Sequence, residues 1–197
     1  METTKRNQPL KDIFGILFFI IAVIIGAWLI NSLVFRSFSV LGPSMEPTMY
    51  TNDRLIVNRV PVTFDAIQGD DYVPKRGHVI VFKNPRFDSA GRDEYIVKRV
   101  IGYPGERVVV KNGVARVFKP ASAEAIDPYQ DANIEPTPVT GKVDEVVPEG
   151  EIFVIGDNHS GNDSLDSRNG LGTVPYSDIV GPVAFRIFPF DKVSADF

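Results

Sequence analysis

Leu41-Gly42-Pro43-Ser44-Met45-Glu46-Pro47-Thr48-Met49 holds one serine between residues that restrict the backbone, a few positions after a long apolar segment. Gly42 reaches backbone angles closed to other residues, and Pro43 and Pro47 fix φ and push their predecessors towards extended geometry. A hydroxyl held in this way is suited to being aimed. The same run would also serve as a proline-rich turn that closes a membrane helix. As a nucleophile, Ser44 needs a base to take its proton. The chain offers two histidines, His78 and His159, no cysteine and no Gly-x-Ser-x-Gly elbow. Lys98 is the stronger option, because in Glu94-Tyr95-Ile96-Val97-Lys98-Arg99-Val100-Ile101-Gly102 it interrupts an apolar, β-branched run. Facing a buried side it is held neutral by desolvation and becomes a usable base; at a strand edge it snorkels to water.

On the N-terminal side, residues 13–35 carry no charge and consist mainly of Ile, Phe, Leu, Val and Ala. That is enough for one helix across a hydrocarbon core of about 30 Å. A cleavable secretory signal is the competing reading, with Lys5, Arg6 and Lys11 as its basic start. The stretch is long for such a signal, and Asn31-Ser32-Leu33-Val34-Phe35-Arg36 has no small-x-small cleavage site, so an uncleaved anchor is expected. Lys5, Arg6 and Lys11 before it, against Arg36 after it, put residues 1–12 in the cytoplasm and residues 36–197 on the outer side of the inner (plasma) membrane.

On the C-terminal side the pattern is β-rich and loop-rich. Arg54–Val60, Val79–Lys83, Tyr95–Ile101 and Glu151–Ile155 read as short strands between Gly, Pro, Asn or Asp. Arg107–Lys111 and Val114–Phe118 flank Asn112-Gly113, the best hairpin signal in the chain. The fold class is therefore mainly β after one N-terminal membrane helix, with a small insertion at about 103–150. Pro120–Pro148 reads as a poorly packed, partly extended segment, and Pro61–Arg76 as a second, shorter insertion. Val183-Ala184-Phe185-Arg186-Ile187-Phe188-Pro189-Phe190 reads as a strand and aromatic cluster, expected to be buried. The alternative sets Phe188 and Phe190 beside Met49 and Tyr50 on a face resting in the bilayer interface.

Composition narrows the partners. A net charge of −4 with no basic block argues against nucleic acid. Without cysteine there is neither a disulfide framework nor a thiolate metal site, and two distant histidines make a poor one. No metal and no cofactor are expected.

Ser44 to Thr48 (Ser-Met-x-Pro-Thr), Arg76–Lys83, Lys98-Arg99 followed by Gly102-Tyr103-Pro104-Gly105-Glu106, and Gly156-Asp157-Asn158 through Ser164-Leu165-Asp166-Ser167-Arg168 form an ordered set of four boxes. Together the chain resembles the bacterial type I signal peptidases (leader peptidases), membrane-anchored Ser/Lys proteases that remove secretory signal peptides. The resemblance covers most of residues 36–190. It implies Ser44 as nucleophile and Lys98 as general base, with Ser164 orienting the lysine and an Asp166–Arg168 ion pair holding its loop. It also implies apolar S1 and S3 pockets lined by Phe38, Val40, Met45, Met49, Ile96 and Val97. Pockets of that kind suit secretory preproteins with Ala-x-Ala before the cut, presented at a lipid bilayer. Ordinary core packing is the other reading of those six residues.

Three departures from the pattern stand out. Gly42 replaces a serine that supplies an oxyanion hydroxyl in some members, so the developing charge falls chiefly to the Ser44 N–H. The spacer His159–Asp163 lengthens the last box and leaves Ser160 as a rival to Ser164. His78 stands where aspartate is usual. His159 itself lies in a Gly/Asn/Asp/Ser loop, where exposure is expected and a catalytic part is not. The alternatives are a specialised Ser/Lys processing peptidase of the same fold and a non-catalytic, membrane-tethered β-rich binding module. A buried lysine paired with Ser44 separates the enzymes from the module.

Overall fold

The computed structural model describes residues 8–86, 94–130, 137–160, 164–195 and 197. Helix α1 (Gln8–Leu29) continues into a π-helical turn, Ile30–Val34. The apolar window Lys11–Val34 has mean hydropathy 3.0, and none of it is buried among the described residues. A helix that is apolar all round and packs on nothing suits a lipid environment. Lys5 and Arg6 lie outside the described residues. The helical path ends at Val34, and Phe35 already belongs to strand β1 (Phe35–Ser39).

The main body is a seven-stranded antiparallel sheet. It contains β1, β2 (Arg54–Asn58), β3 (Val79–Lys83), β4 (Tyr95–Gly102), β9 (Glu151–Ile155), β10 (Val174–Pro175) and β11 (Ile179–Phe188), in the order β1-β2-β11-β3-β4-β9-β10. β3 is a continuous apolar run because both of its faces are covered. Val79 and Val81 join a cluster with Met45, Met49, Leu55 and Val57, while Ile80 and Phe82 join one with Val100, Ile152, Val154 and Leu171. Alternation puts successive residues on opposite faces, so one strand serves two cores. β11 pairs with β3 through Ile179–Pro182 and then with β2 through Val183–Phe188.

The second sheet has four strands, ordered β7-β6-β5-β8: β5 (Arg107–Lys111), β6 (Val114–Phe118), β7 (Ala125–Ile126) and β8 (Val143–Val146). The β5–β6 turn is as expected, with Asn112 at φ 53° and Gly113 at φ 80°, the positive values a tight hairpin needs. The Pro120–Pro148 segment is not poorly packed. β7 and β8 come from it, and Val139 and Val147 are buried with Val108, Val110 and Val117 against Ile101, Phe153 and Ile155. Its isolated valines fill a core completed by strands distant in sequence. Residues 131–136 of that segment lie outside the described ones.

Pro61–Arg76 is not merely a loop insertion either. Helix α2 (Val60–Gln68) begins with Pro61 in its first turn and ends at Gly69, φ 84°, the left-handed conformation common after a helix. The C-terminal aromatic run also departs from expectation. Val183 is buried, but Phe185, Ile187, Phe188 and Phe190 are exposed, since no layer covers the outer face of this half of β11. Tyr50 is exposed nearby, while Met49 is fully buried. Lys192 Nζ lies 4.8 Å from the Tyr50 ring centroid.

Candidate active site

The Ser44 loop runs between β1 and β2, held at its base by Val40 N–H donating to Asp53 O (2.9 Å) and Asn52 N–H to Val40 O (2.9 Å). Gly42 sits at φ 90°, where a side chain would be strained, and its N–H donates to Thr51 Oγ1. That geometry accounts for glycine at this position. Met45 and Met49 plug the loop into the core at zero exposure.

Lys98 projects from β4 to the loop and places Nζ 2.7 Å from Ser44 Oγ and 2.8 Å from Val97 O. Lys98 is 2% exposed. Burial brings its pKa down to about 8; Asp166 and Asp157 oppose that, and Arg168 reinforces it. Desolvation therefore outweighs the carboxylates, because no carboxylate reaches bonding distance of the amine among the described residues.

Asp166 and Arg168 form the expected ion pair at 2.7 Å, with both side chains fully buried. Asp166 also accepts from Gly156 N–H (3.1 Å) and Ser164 Oγ (2.8 Å), and Arg168 donates to Thr140 O. Ser164 is buried and its hydroxyl bonds Asp166 rather than Lys98. Ser160 is exposed and bonds Asn158, so of the two serines Ser164 is the one in the site. Residues 161–163 of the spacer lie outside the described ones.

A second ion pair had no assigned role in the sequence. Arg99 donates to both Asp157 oxygens, at 2.8 and 2.6 Å, and its remaining nitrogen reaches Gly77 O. Thr48 Oγ1 donates to Asp157 Oδ2 at 2.5 Å. This links the Ser44 loop, β4 and the Gly156–Asn158 loop through one carboxylate. Arg99 in an apolar strand was the available signal, because a buried guanidinium requires a counter-charge. Asn158 adds two bonds, from its N–H to Ser44 O and from Nδ2 to Pro43 O, both 3.1 Å.

His159 is not exposed, contrary to its loop composition. It is 3% exposed, with Nδ1 2.8 Å from Thr137 Oγ1 and its ring 5.0 Å from Tyr129. Burial lowers its pKa, and no bond joins it to Ser44. His78 pairs no catalytic group; its backbone carbonyl accepts from Val100 N–H.

Beside Ser44 and Lys98 opens a cleft of about 560 Å³. Phe38, Val40, Ile96 and Val97 line it, together with Gly42, Tyr95, Leu165 and Glu94. Met45 and Met49 are not in its lining but support it from the core. Phe38 and Tyr95 meet at 5.1 Å along one wall.

Residues 13–188 match the family model described as signal peptidase, peptidase S26. A "Signal peptidase I" of Bacillus amyloliquefaciens is 36% identical over 198 residues, covering 98% of this chain and 95% of that protein. A "Signal peptidase I P" of Bacillus subtilis subsp. natto is 33% identical, covering 98% and 96%. A crystal structure of a signal peptidase I from Enterococcus faecalis V583 aligns at TM-score 0.41 and 28% identity, over 57% of this chain and 98% of that one. A hydroxyl and an amine paired at bonding distance beside an apolar cleft, on a chain matched over nearly its whole length, lead to one assignment: the protein belongs to the signal peptidase family, peptidase S26.

Proposed function

We propose that this protein is a membrane-anchored serine endopeptidase that cuts signal peptides from secreted preproteins with a Ser44–Lys98 dyad. The observation that carries the reading is the 2.7 Å approach of a buried, pKa-depressed lysine amine to the serine hydroxyl. A binding module has no use for such a pair.

In this mechanism neutral Lys98 takes the Ser44 proton as Oγ attacks the scissile carbonyl. The resulting ammonium gives that proton to the departing amine. Lys98 then deprotonates a water, whose attack on the acyl-enzyme carbonyl restores Ser44. The Ser44 N–H makes no hydrogen bond among the described residues, so it is available to the developing oxyanion. Asp166 and Arg168 act on the charge of the lysine, and Ser164 acts through its bond to Asp166, none of them on substrate.

Phe38, Val40, Ile96 and Val97 form the S1 and S3 walls, and their apolar side chains suit a substrate that presents Ala-x-Ala there. The chain crosses the inner (plasma) membrane once, with its N-terminus in the cytoplasm and its catalytic domain outside. Phe188, Phe190 and Tyr50, exposed together, favour contact with the outer leaflet.

The test is preprotein cleavage by three variants. Ser44→Ala, Lys98→Ala and Lys98→Arg are each expected to lose cleavage while keeping the wild-type circular dichroism. Arginine fails because guanidinium keeps its proton throughout this pH range. Substantial activity in Lys98→Arg would end the Ser/Lys mechanism.

A further inference from the structure

Among the described residues α2 is the one α-helix outside the membrane span, and its apolar side chains point outward. Val62 packs towards the core, whereas Val60 is 47%, Phe64 60% and Ile67 80% exposed. At 3.6 residues per turn those three lie within about 60° of one another on the helix surface. A helix on a water-facing surface carries its apolar stripe inward. Here the stripe is turned out.

The attachment of α2 identifies what covers that stripe. Arg59 N–H donates to Val34 O (2.8 Å), Thr63 Oγ1 donates to Leu33 O (2.9 Å), and the Arg59 guanidinium reaches the Ser32 carbonyl. These three acceptors end the apolar window Lys11–Val34, where the span leaves the hydrocarbon. These bonds hold α2 against the C-terminal end of the span. Leu29, Ile30 and Leu33 are themselves exposed on the last turns of the span, so apolar surface runs from the span to α2.

We propose that α2 lies in the bilayer interface beside the foot of the span, with Val60, Phe64 and Ile67 set among the lipids. Interfacial helices sink their apolar face about 5–10 Å into the headgroup and acyl boundary. Asp65, Asp70 and Asp71 offset Arg36 and Arg59 around the helix, so the contact is apolar in origin and indifferent to anionic lipid. Its effect is a second hold next to the span, which limits the swing of the catalytic domain about Val34–Phe35. The inference rests on membrane anchoring and on neither the Ser/Lys chemistry nor the orientation of the chain.

The chain has no cysteine, so Phe64→Cys or Ile67→Cys gives the full-length protein a single site for an NBD fluorophore. The labelled protein is reconstituted into phosphatidylcholine vesicles with and without phosphatidylglycerol. At both sites the emission should shift to the blue, resist iodide and be quenched by lipids bearing a nitroxide near the headgroup, equally in the two compositions. Glu124→Cys, exposed in the loop just before β7, should report water. Water-like emission from positions 64 and 67 would overturn the proposal. So would a blue shift that lipid nitroxides fail to quench, or that is lost on dilution to one copy per vesicle, since a protein then covers the stripe. The readout needs no catalysis, so failure of the Ser/Lys mechanism leaves it intact. Phe64→Ser/Ile67→Ser should in addition lose kcat/KM on a membrane-held preprotein while keeping it on a short soluble peptide; equal losses on both substrates count against the proposal.

Discussion

Replacing Lys98 by methionine tests the site through stability as well as through rate. The lysine titrates at about 8 in the folded protein against 10.5 for an ordinary lysine, with burial the leading cause. Below pH 8 it is protonated in both states, and the fold then carries a charge its surroundings disfavour. At about 1.4 kcal/mol per pKa unit, that penalty is on the order of 3 kcal/mol. Between pH 8 and 10.5 the unfolded chain still binds the proton and the folded one does not, so stability rises with pH across this window. Above 10.5 both states are neutral and the penalty has gone.

Methionine escapes the penalty at every pH but forfeits the bonds to Ser44 Oγ and Val97 O, each worth about 1 kcal/mol. Lys98→Met should therefore be inactive, yet more stable than wild type by about 1 kcal/mol at pH 7 and less stable by about 2 kcal/mol at pH 11. Urea unfolding of the full chain in detergent, followed by circular dichroism at several pH values, measures the difference between the two proteins. Other groups titrate alike in both and cancel. Wild-type kcat/KM, which reports the free enzyme, should rise through the same ionisation near 8. At pH 7 about one lysine in ten is then neutral, against roughly one in 3,000 for a free lysine. A stability difference that stays flat with pH would refute the reasoning, as would kinetic and stability profiles that disagree on the pKa.

Three further outcomes follow from the same geometry. A Cβ at Gly156 would meet the Ser44 carbonyl oxygen and lie 2.6 Å from Ser164 Oγ, so Gly156→Ala should displace the nucleophile and lower kcat/KM by about 100-fold; near-normal turnover would show that the loop gives way freely. Asp157→Asn leaves the buried Arg99 guanidinium without its counter-charge and should cost about 3–5 kcal/mol in urea unfolding, whereas a loss of about 1 kcal/mol or less would mean water reaches it. His159→Ala should leave the kcat/KM midpoint near 8, because His159 touches neither Ser44 nor Lys98. Since burial lowers the pKa of His159, the wild type should lose stability as pH falls below about 6.5, and the alanine variant should lack that component.

What could be read in advance, and what could not, divides along physical lines. β3 and the Asn112-Gly113 hairpin were legible because a four-residue apolar run and a positive-φ turn are local requirements. The burial of Lys98 was legible for the same reason, since Lys98 and Arg99 interrupt an otherwise apolar strand. Helix α2 escaped because its outward stripe reverses the pattern that marks a surface helix, although Pro61 and Gly69 bracket it as start and stop. β7 and β8 escaped because Val139, Val143 and Val147 become a core only against Phe153 and Ile155 of another sheet. Arg99 announced a need for a carboxylate, but its partner lies 58 residues away, and no local pattern names it.

His159 shows where composition misleads. A Gly/Asn/Asp/Ser loop is expected at the surface because its backbone polar groups seek water. That holds only while no protein partner takes the place of water. In residues 156–159 partners are present: Gly156 N–H bonds Asp166, Asn158 N–H bonds Ser44 O, and the His159 carbonyl accepts from Thr140 N–H and Oγ1. The loop is buried because it is the part that braces Ser44. These backbone groups have exchanged solvent for protein partners, one of them the Ser44 carbonyl, and that exchange holds a polar loop in place beside Ser44.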